Sequence, residues 1–222
     1  MKGISVNKIL VAAGIFASTL SLTANASEFV VSYDGFYDRL KVMSKGDYAS
    51  ADVGFYLINQ NANPCTIESG SIITKTNEYP LNYTQTSKLL LPFDETLDKD
   101  KALIVVQPKA GEQCQLKLQM ESSQDYGDSV SLKQMAKLQT EFDDLIGRLS
   151  GFFMRTLFSF MMPEVKGVTL VFDNTVAAPM GAGDEIKCKD NRCTIESLDV
   201  EGEDKRLTFS QPIKQVIPHI AK

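Results

Sequence analysis

SLKQMAKLQTEFDDLIGRLSGFFMRTLFSFMMP, residues 131–163, decides the fold class. Leu132, Met135, Leu138, Phe142, Leu145, Ile146, Leu149, Phe152, Phe153, Leu157, Phe160 and Met161 recur at helical spacing and share one broad face. Lys133, Lys137, Glu141, Asp144, Arg148 and Arg155 gather on the opposite face. There Lys137–Glu141 and Asp144–Arg148 are spaced as i,i+4 ion pairs. Ser131-x-x-Gln134 reads as a capping box, with Val130 and Met135 placed as a hydrophobic staple. Pro163 stops the run. The pattern predicts one long amphipathic helix over about 131–162, reaching roughly 45 Å unless Gly147 or Gly151 bends it.

On both sides of this helix the period changes to that of strands. Upstream lie VGFYLIN (53–59), CTIESGSIITK (65–75), SKLLLPF (87–93), ALIVVQP (102–108) and CQLKLQM (114–120). All are rich in β-branched and aromatic residues and are separated by turn chemistry. In Cys114–Met120 the alternation is complete, one face apolar and the other polar. Downstream come GVTLVF, EIKC, RCTIESLDV and RLTFSQPIKQVI, the last two joined by a turn at Glu201-Gly-Glu-Asp204. Before the strands, Asp34–Ser44 has helical spacing at Phe36, Tyr37, Leu40 and Met43, and Gly46 follows as a stop. The expected fold is α+β: an antiparallel sheet or small sandwich, the long helix, and a short N-terminal helix. The pentapeptide Cys65-Thr-Ile-Glu-Ser69 recurs as Cys193-Thr-Ile-Glu-Ser197. It reads either as an old duplication flanking the helix or as coincidence between two strands with the same task.

The N-terminus sets the expected compartment. Lys2 and Lys8 precede an almost entirely apolar or small stretch from Ile9 to Leu22, and Ala24-Asn25-Ala26 supplies a small-x-small cleavage signal. Residues 1–26 therefore read as a signal peptide and 27–222 as a single mature domain beginning at Ser27, with a subdivision into 27–125 and 126–222 as the alternative. The apolar stretch is short for a membrane span, and Arg148 and Arg155 oppose a span in the long helix. The expected location is the periplasm. Of the 222 residues, 23 are basic and 28 acidic; removal of Lys2 and Lys8 leaves 21 against 28, a net charge of −7. That balance excludes nucleic acid as a partner class and disfavours anionic membrane surfaces.

All four cysteines lie in the mature chain, and an even count in an exported protein reads as disulfides. Cys188–Cys193 is favoured because Lys189-Asp-Asn-Arg192 is good turn chemistry, which leaves Cys65–Cys114. A four-thiolate zinc site is the competing reading and lacks any C-x-x-C pair.

Catalytic signals are weak. His219, close to the C-terminus in a segment expected to be mobile, is the one histidine. There is no G-x-S-x-G elbow, and Gly181-Ala-Gly-Asp184 lacks the rest of a phosphate loop. Asp94, Glu95, Asp98 and Asp100 fall in one expected loop, and Asp199, Glu201, Glu203 and Asp204 in another; both read as solvated turns. Asp98-Lys-Asp100 lacks the rest of a calcium loop, so no cofactor or metal is expected. The unusual feature is Gly151–Pro163, where eight of the eleven intervening residues are Phe, Met or Leu. Most of that surface reads as core, with Phe152, Met154 and Met161 at the edges of the arc as candidates for contact with an apolar ligand or an envelope protein.

VGFYLINQNANPCTIESGSI, LLLPFDETL and FFMRTLFSFMMPEVKGVTLVF together resemble a domain-of-unknown-function family of uncharacterised exported proteins of Gram-negative bacteria. The resemblance covers most of the mature chain and implies an envelope location, with no catalytic residues to carry over. The expected function is a non-catalytic binding or interaction role in the periplasm. The alternative is an envelope-polymer hydrolase working through carboxylates.

Overall fold

Tyr33 stands at the start of a helix, where its backbone carbonyl accepts from Phe36 N and Tyr37 N, and its hydroxyl donates to the Pro92 carbonyl. This computed structural model describes residues 28–150, 164–180, 182–196, 198 and 204–220. The strands are β1 (Phe29–Ser32), β2 (Ala51–Ile58), β3 (Ile67–Ile73), β4 (Glu78–Pro80), β5 (Asn82–Tyr83), β6 (Lys88–Leu90), β7 (Leu103–Pro108) and β8 (Gln115–Ser122). They continue with β9 (Ser129–Ser131), β10 (Val165–Val171), β11 (Ile186–Lys189), β12 (Arg192–Glu196), β13 (Arg206–Thr208) and β14 (Gln215–Ile220). The helices are α1 (Asp34–Gly46), α2 (Glu95–Lys99) and α3 (Leu132–Leu149). All strand pairs are antiparallel. Sheet I has the order β1-β7-β3-β4, sheet II β5-β6-β2-β8 and sheet III β11-β12-β10-β14, and β9 pairs with β13. The α+β class holds.

The 18-residue helix α3 packs on β10, α1 and β2. Its capping box forms in full: Ser131 Oγ accepts from Gln134 N, and the Gln134 side chain accepts from Ser131 N. Met135, Leu138, Phe142 and Leu145 are completely buried, as the apolar arc requires. The expected extension from 151 to 162, and with it Phe152, Met154 and Met161, lies outside the described residues, as do the signal segment 1–26 and Asp199, Glu201 and Glu203.

Of the two expected pairs on the polar face, Asp144–Arg148 forms at 2.7 Å. Lys137–Glu141 does not. Glu141 instead accepts the backbone N–H groups of Ala49, Ser50 and Ala51 at 3.2, 2.9 and 2.7 Å. Three fixed amides hold a carboxylate better than one flexible, solvated lysine does. The acidic stretch at 94–100 is not a loop but α2, whose N-cap Asp94 accepts from Thr96 N at 2.7 Å. RLTFSQPIKQVI is two strands, β13 and β14, in different sheets. His219 is held in β14 opposite Gly167, with Nε2 3.2 Å from Glu196, so the mobile end expected there is an ordered strand.

Both disulfides form: Cys65–Cys114, 49 residues apart, and Cys188–Cys193, directly opposed across β11 and β12. The first ties the entry of β3 to the entry of β8 and so links sheets I and II.

Candidate functional site

Period-two alternation gives β2 two different faces. Ala51, Val53, Phe55 and Leu57 are buried in the core, which leaves Asp52, Gly54, Tyr56 and Ile58 on the other side. Register then assembles a polar cluster on that second face. Asp52 lies opposite Glu121 of β8, Gly54 opposite Gln119, and Tyr56 opposite both Lys117 of β8 and Lys88 of β6.

Glu121 is the hub. It is 4 % exposed, one of four buried polar residues among the described residues, and the other three are uncharged. The Tyr56 hydroxyl lies 2.6 Å from one of its oxygens and 2.9 Å from the other. Lys88 Nζ donates to it at 2.6 Å, and Gln215 of β14 donates from sheet III. Lys88 also reaches Asp52 at 3.3 Å. One buried carboxylate thus binds strands β2, β6 and β14 to its own strand β8, and joins sheet II to sheet III. Gly54 makes the cluster possible: a Cβ there would sit 2.5 Å from the Tyr56 ring and 2.7 Å from Glu121 Oε1.

The electrostatics are those of a satisfied network. Burial, then the hydrogen bond to Glu121, push the Tyr56 phenol far above its ordinary value, so it stays a neutral donor. Burial alone would lower Lys88; its hydrogen bond to Glu121 and the charges of Glu121 and Asp52 outweigh that and hold the ammonium form. Asp52 and Glu121 are two close acids, as an acid–base pair requires, but a lysine stands between them. Lys88 Nζ lies 3.3 Å from Asp52 and 2.6 Å from Glu121, so both acids are ion-paired to one cation.

The cluster forms part of the wall of an open cleft of about 710 Å³ between sheet II and β14. Lys117, Gln119, Gln124 and Tyr126 also line it. Lys117 is exposed and makes no ion pair among the described residues. A second, more apolar cleft of about 540 Å³ opens where β6 leaves β2 beyond the Phe55–Leu89 pair. There Asp52 Oδ1 caps the N–H of Val53 at 2.7 Å.

Among the described residues, one group of three brings metal-type ligands close together: Cys65, Glu112 and Cys114. The two sulfurs are bonded to each other, and Glu112 accepts from Thr66 N and Oγ1 at 2.7 and 3.0 Å, so the group is spent on structure. This disposes of the zinc reading for that pair, since a disulfide offers no thiolate.

None of Tyr56, Lys88, Glu121 and Gln215 stands out in the sequence. The one available signal is the placement of Glu121, the lone acid at the end of the alternating 114–120 strand, on that strand's polar face. The site residues singled out from sequence are not members of the hub: the four cysteines form two disulfides, and Phe152, Met154 and Met161 are outside the described residues.

Fold and cleft define a disulfide-stapled α+β protein with an inter-sheet polar cleft. Residues 25–172 match the family described as Protein of unknown function (DUF2987), and the chain belongs to that family. No curated protein and no solved structure matches it.

Proposed function

We propose that the chain is a non-catalytic binding protein of the cell envelope, exported by residues 1–26, with its ligand in the cleft beside Glu121. The observation that carries this reading is the saturation of Glu121. Its two oxygens already receive Tyr56, Lys88 and Gln215, so the acid is engaged in holding the walls of the cleft together. The Lys117 ammonium and the Gln119 side-chain oxygen, whose amide nitrogen is already given to the Met120 carbonyl, are left to orient a ligand. Two disulfides fit an oxidising compartment. No helix of the described residues is long and apolar enough to cross a membrane. The family match begins at residue 25, beside the expected cleavage point. Phe152, Met154 and Met161 enter the same reading as an additional apolar contact.

Native mass spectrometry of protein recovered from periplasm tests it. The expected result is a non-covalent adduct of unaltered mass, weakened by Lys117→Ala and by Gln119→Ala. The hydrolase alternative requires cleavage of an envelope polymer that Glu121→Gln abolishes while the melting temperature is unchanged. That result would replace the binding reading.

A further inference from the structure

We propose that the free edge of β8 is a docking site for an extended peptide segment, which adds a strand to sheet II, seats an apolar side chain beside Leu116 and Leu118, and carries acidic neighbours. The proposal shares Lys117 with the cleft beside Glu121 and otherwise rests on different residues.

β8 is the outermost strand of sheet II and pairs with β2 along all eight of its residues. The direction of its unpaired groups follows from β2. The Leu57 N–H bonds to the Ser87 carbonyl and the Leu57 carbonyl accepts from Cys65 N, both on the side away from β8. Leu57–Leu116 is therefore a non-hydrogen-bonded pair, and by alternation so is Phe55–Leu118. The N–H and C=O groups of Leu116 and Leu118 point outward from the sheet edge, and none has a partner among the described residues. At Met120 the open row ends, because Gln119 Nε2 covers the Met120 carbonyl at 2.8 Å. Beyond it, the Glu121–Gln215 contact brings in β14.

The side chains beside this edge are equally unfinished. Leu116 and Leu118, which the alternation of 114–120 assigns to an apolar face, are 39 % and 42 % exposed. With Val31, Phe36 and Phe55 they line a pocket of about 180 Å³, room for one apolar side chain. An outward row of donors and acceptors next to a one-residue apolar pocket is the arrangement that strand addition uses: main chain for affinity, alternate side chains for selectivity.

Charge names the partner. Arg39 borders the pocket on the apolar face, and Lys117, between the two leucines in sequence, projects from the opposite, polar face of the same edge strand, where the alternate side chains of an added strand would meet it. Both are exposed, and neither makes an ion pair among the described residues of a chain with net charge −5. A second β8 paired symmetrically about Lys117 would set like charges opposite each other, whereas an acidic segment neutralises them.

The test uses the folded protein and an acetylated heptapeptide of alternating Val and Glu. At tenfold excess over its Kd the peptide should slow hydrogen exchange at the Leu116 and Leu118 amides by about tenfold. The same peptide N-methylated at alternate residues should give no protection. Arg39→Glu combined with Lys117→Glu, both at exposed positions, should weaken the Val–Glu peptide by about fivefold and favour a Val–Lys peptide instead. The proposal is overturned if the Val–Glu peptide gives no protection, or if N-methylation leaves binding intact. It is also overturned if these amides are already protected without peptide, which would assign the edge to another part of this chain or to a second copy.

Discussion

The same five residues, Cys-Thr-Ile-Glu-Ser, are put to different use at 65–69 and 193–197. In the second copy Cys193 and Ile195 are completely buried in β12, between β11 and β10, and Glu196 contacts Lys187 at 2.9 Å and His219 at 3.2 Å. In the first, Cys65 is buried ahead of β3, but Ile67 is half-buried and Glu68 is exposed without an ion pair among the described residues. The β3–β7 register also shifts between Ile67 and Ser69. Cys193 bonds to Cys188, five positions earlier, while Cys65 reaches 49 positions to Cys114. Both β3 and β12 are inner strands of four-stranded sheets, but β3 precedes its edge neighbour β4 in the chain whereas β12 follows its edge neighbour β11. The pairing partners, not the pentapeptide, decide what each residue does, which favours coincidence over duplication.

That contrast breaks most sharply at the cysteines. Replacing Cys65 and Cys114 together by Ala should lower stability by about 4 kcal/mol, and replacing Cys188 and Cys193 by about 2 kcal/mol, because the longer loop constrains the unfolded chain more. Urea unfolding of the two double variants checks the order. Equal losses would mean that loop length does not govern either staple. Next come the isoleucines. Ile195→Ala should cost about 3 kcal/mol and Ile67→Ala about 1 kcal/mol, since the first opens a cavity in a sealed core.

The smallest effect belongs to the glutamates. Lys187, by hydrogen bond and charge, and then His219 hold the Glu196 carboxyl below its ordinary 4.5. A depressed carboxylate stabilises fully above its unfolded value, and the contribution disappears as pH falls through the folded one. Glu196→Gln should therefore flatten the fall in stability below about pH 4.5. At the alkaline end the sign reverses. Tyr56 is raised above its model-compound 10, so its contribution is complete below about pH 10 and is lost above it, and Tyr56→Phe should move the alkaline limb of stability.

Much of this architecture is written in local pattern. The α1 spacing, the Ser131 capping box, the apolar arc of α3 and the two disulfide pairs can each be read within a few turns of chain or from cysteine count. Short edge elements such as β1, β4, β5 and β9 carry too few residues to show a period. The hub was illegible for a different reason. Tyr56, Lys88, Glu121 and Gln215 span 160 positions and meet only through strand register, and one residue of slip would turn each to the opposite face. Leu116 and Leu118 show the converse. Their alternation marks a strand correctly, but it does not reveal that the strand is an edge.

The central claim is that Glu121 is a structural clasp whose charge is matched by Lys88. A double-mutant cycle of Glu121→Gln and Lys88→Met, read by urea unfolding, tests it most directly. Each single change strands one member of the pair and should cost about 2–3 kcal/mol. The double variant should cost less than their sum by at least about 1 kcal/mol. Costs that add to within about 0.5 kcal/mol, or a Glu121→Gln protein as stable as the parent, would contradict the clasp and free Glu121 for chemistry in the cleft.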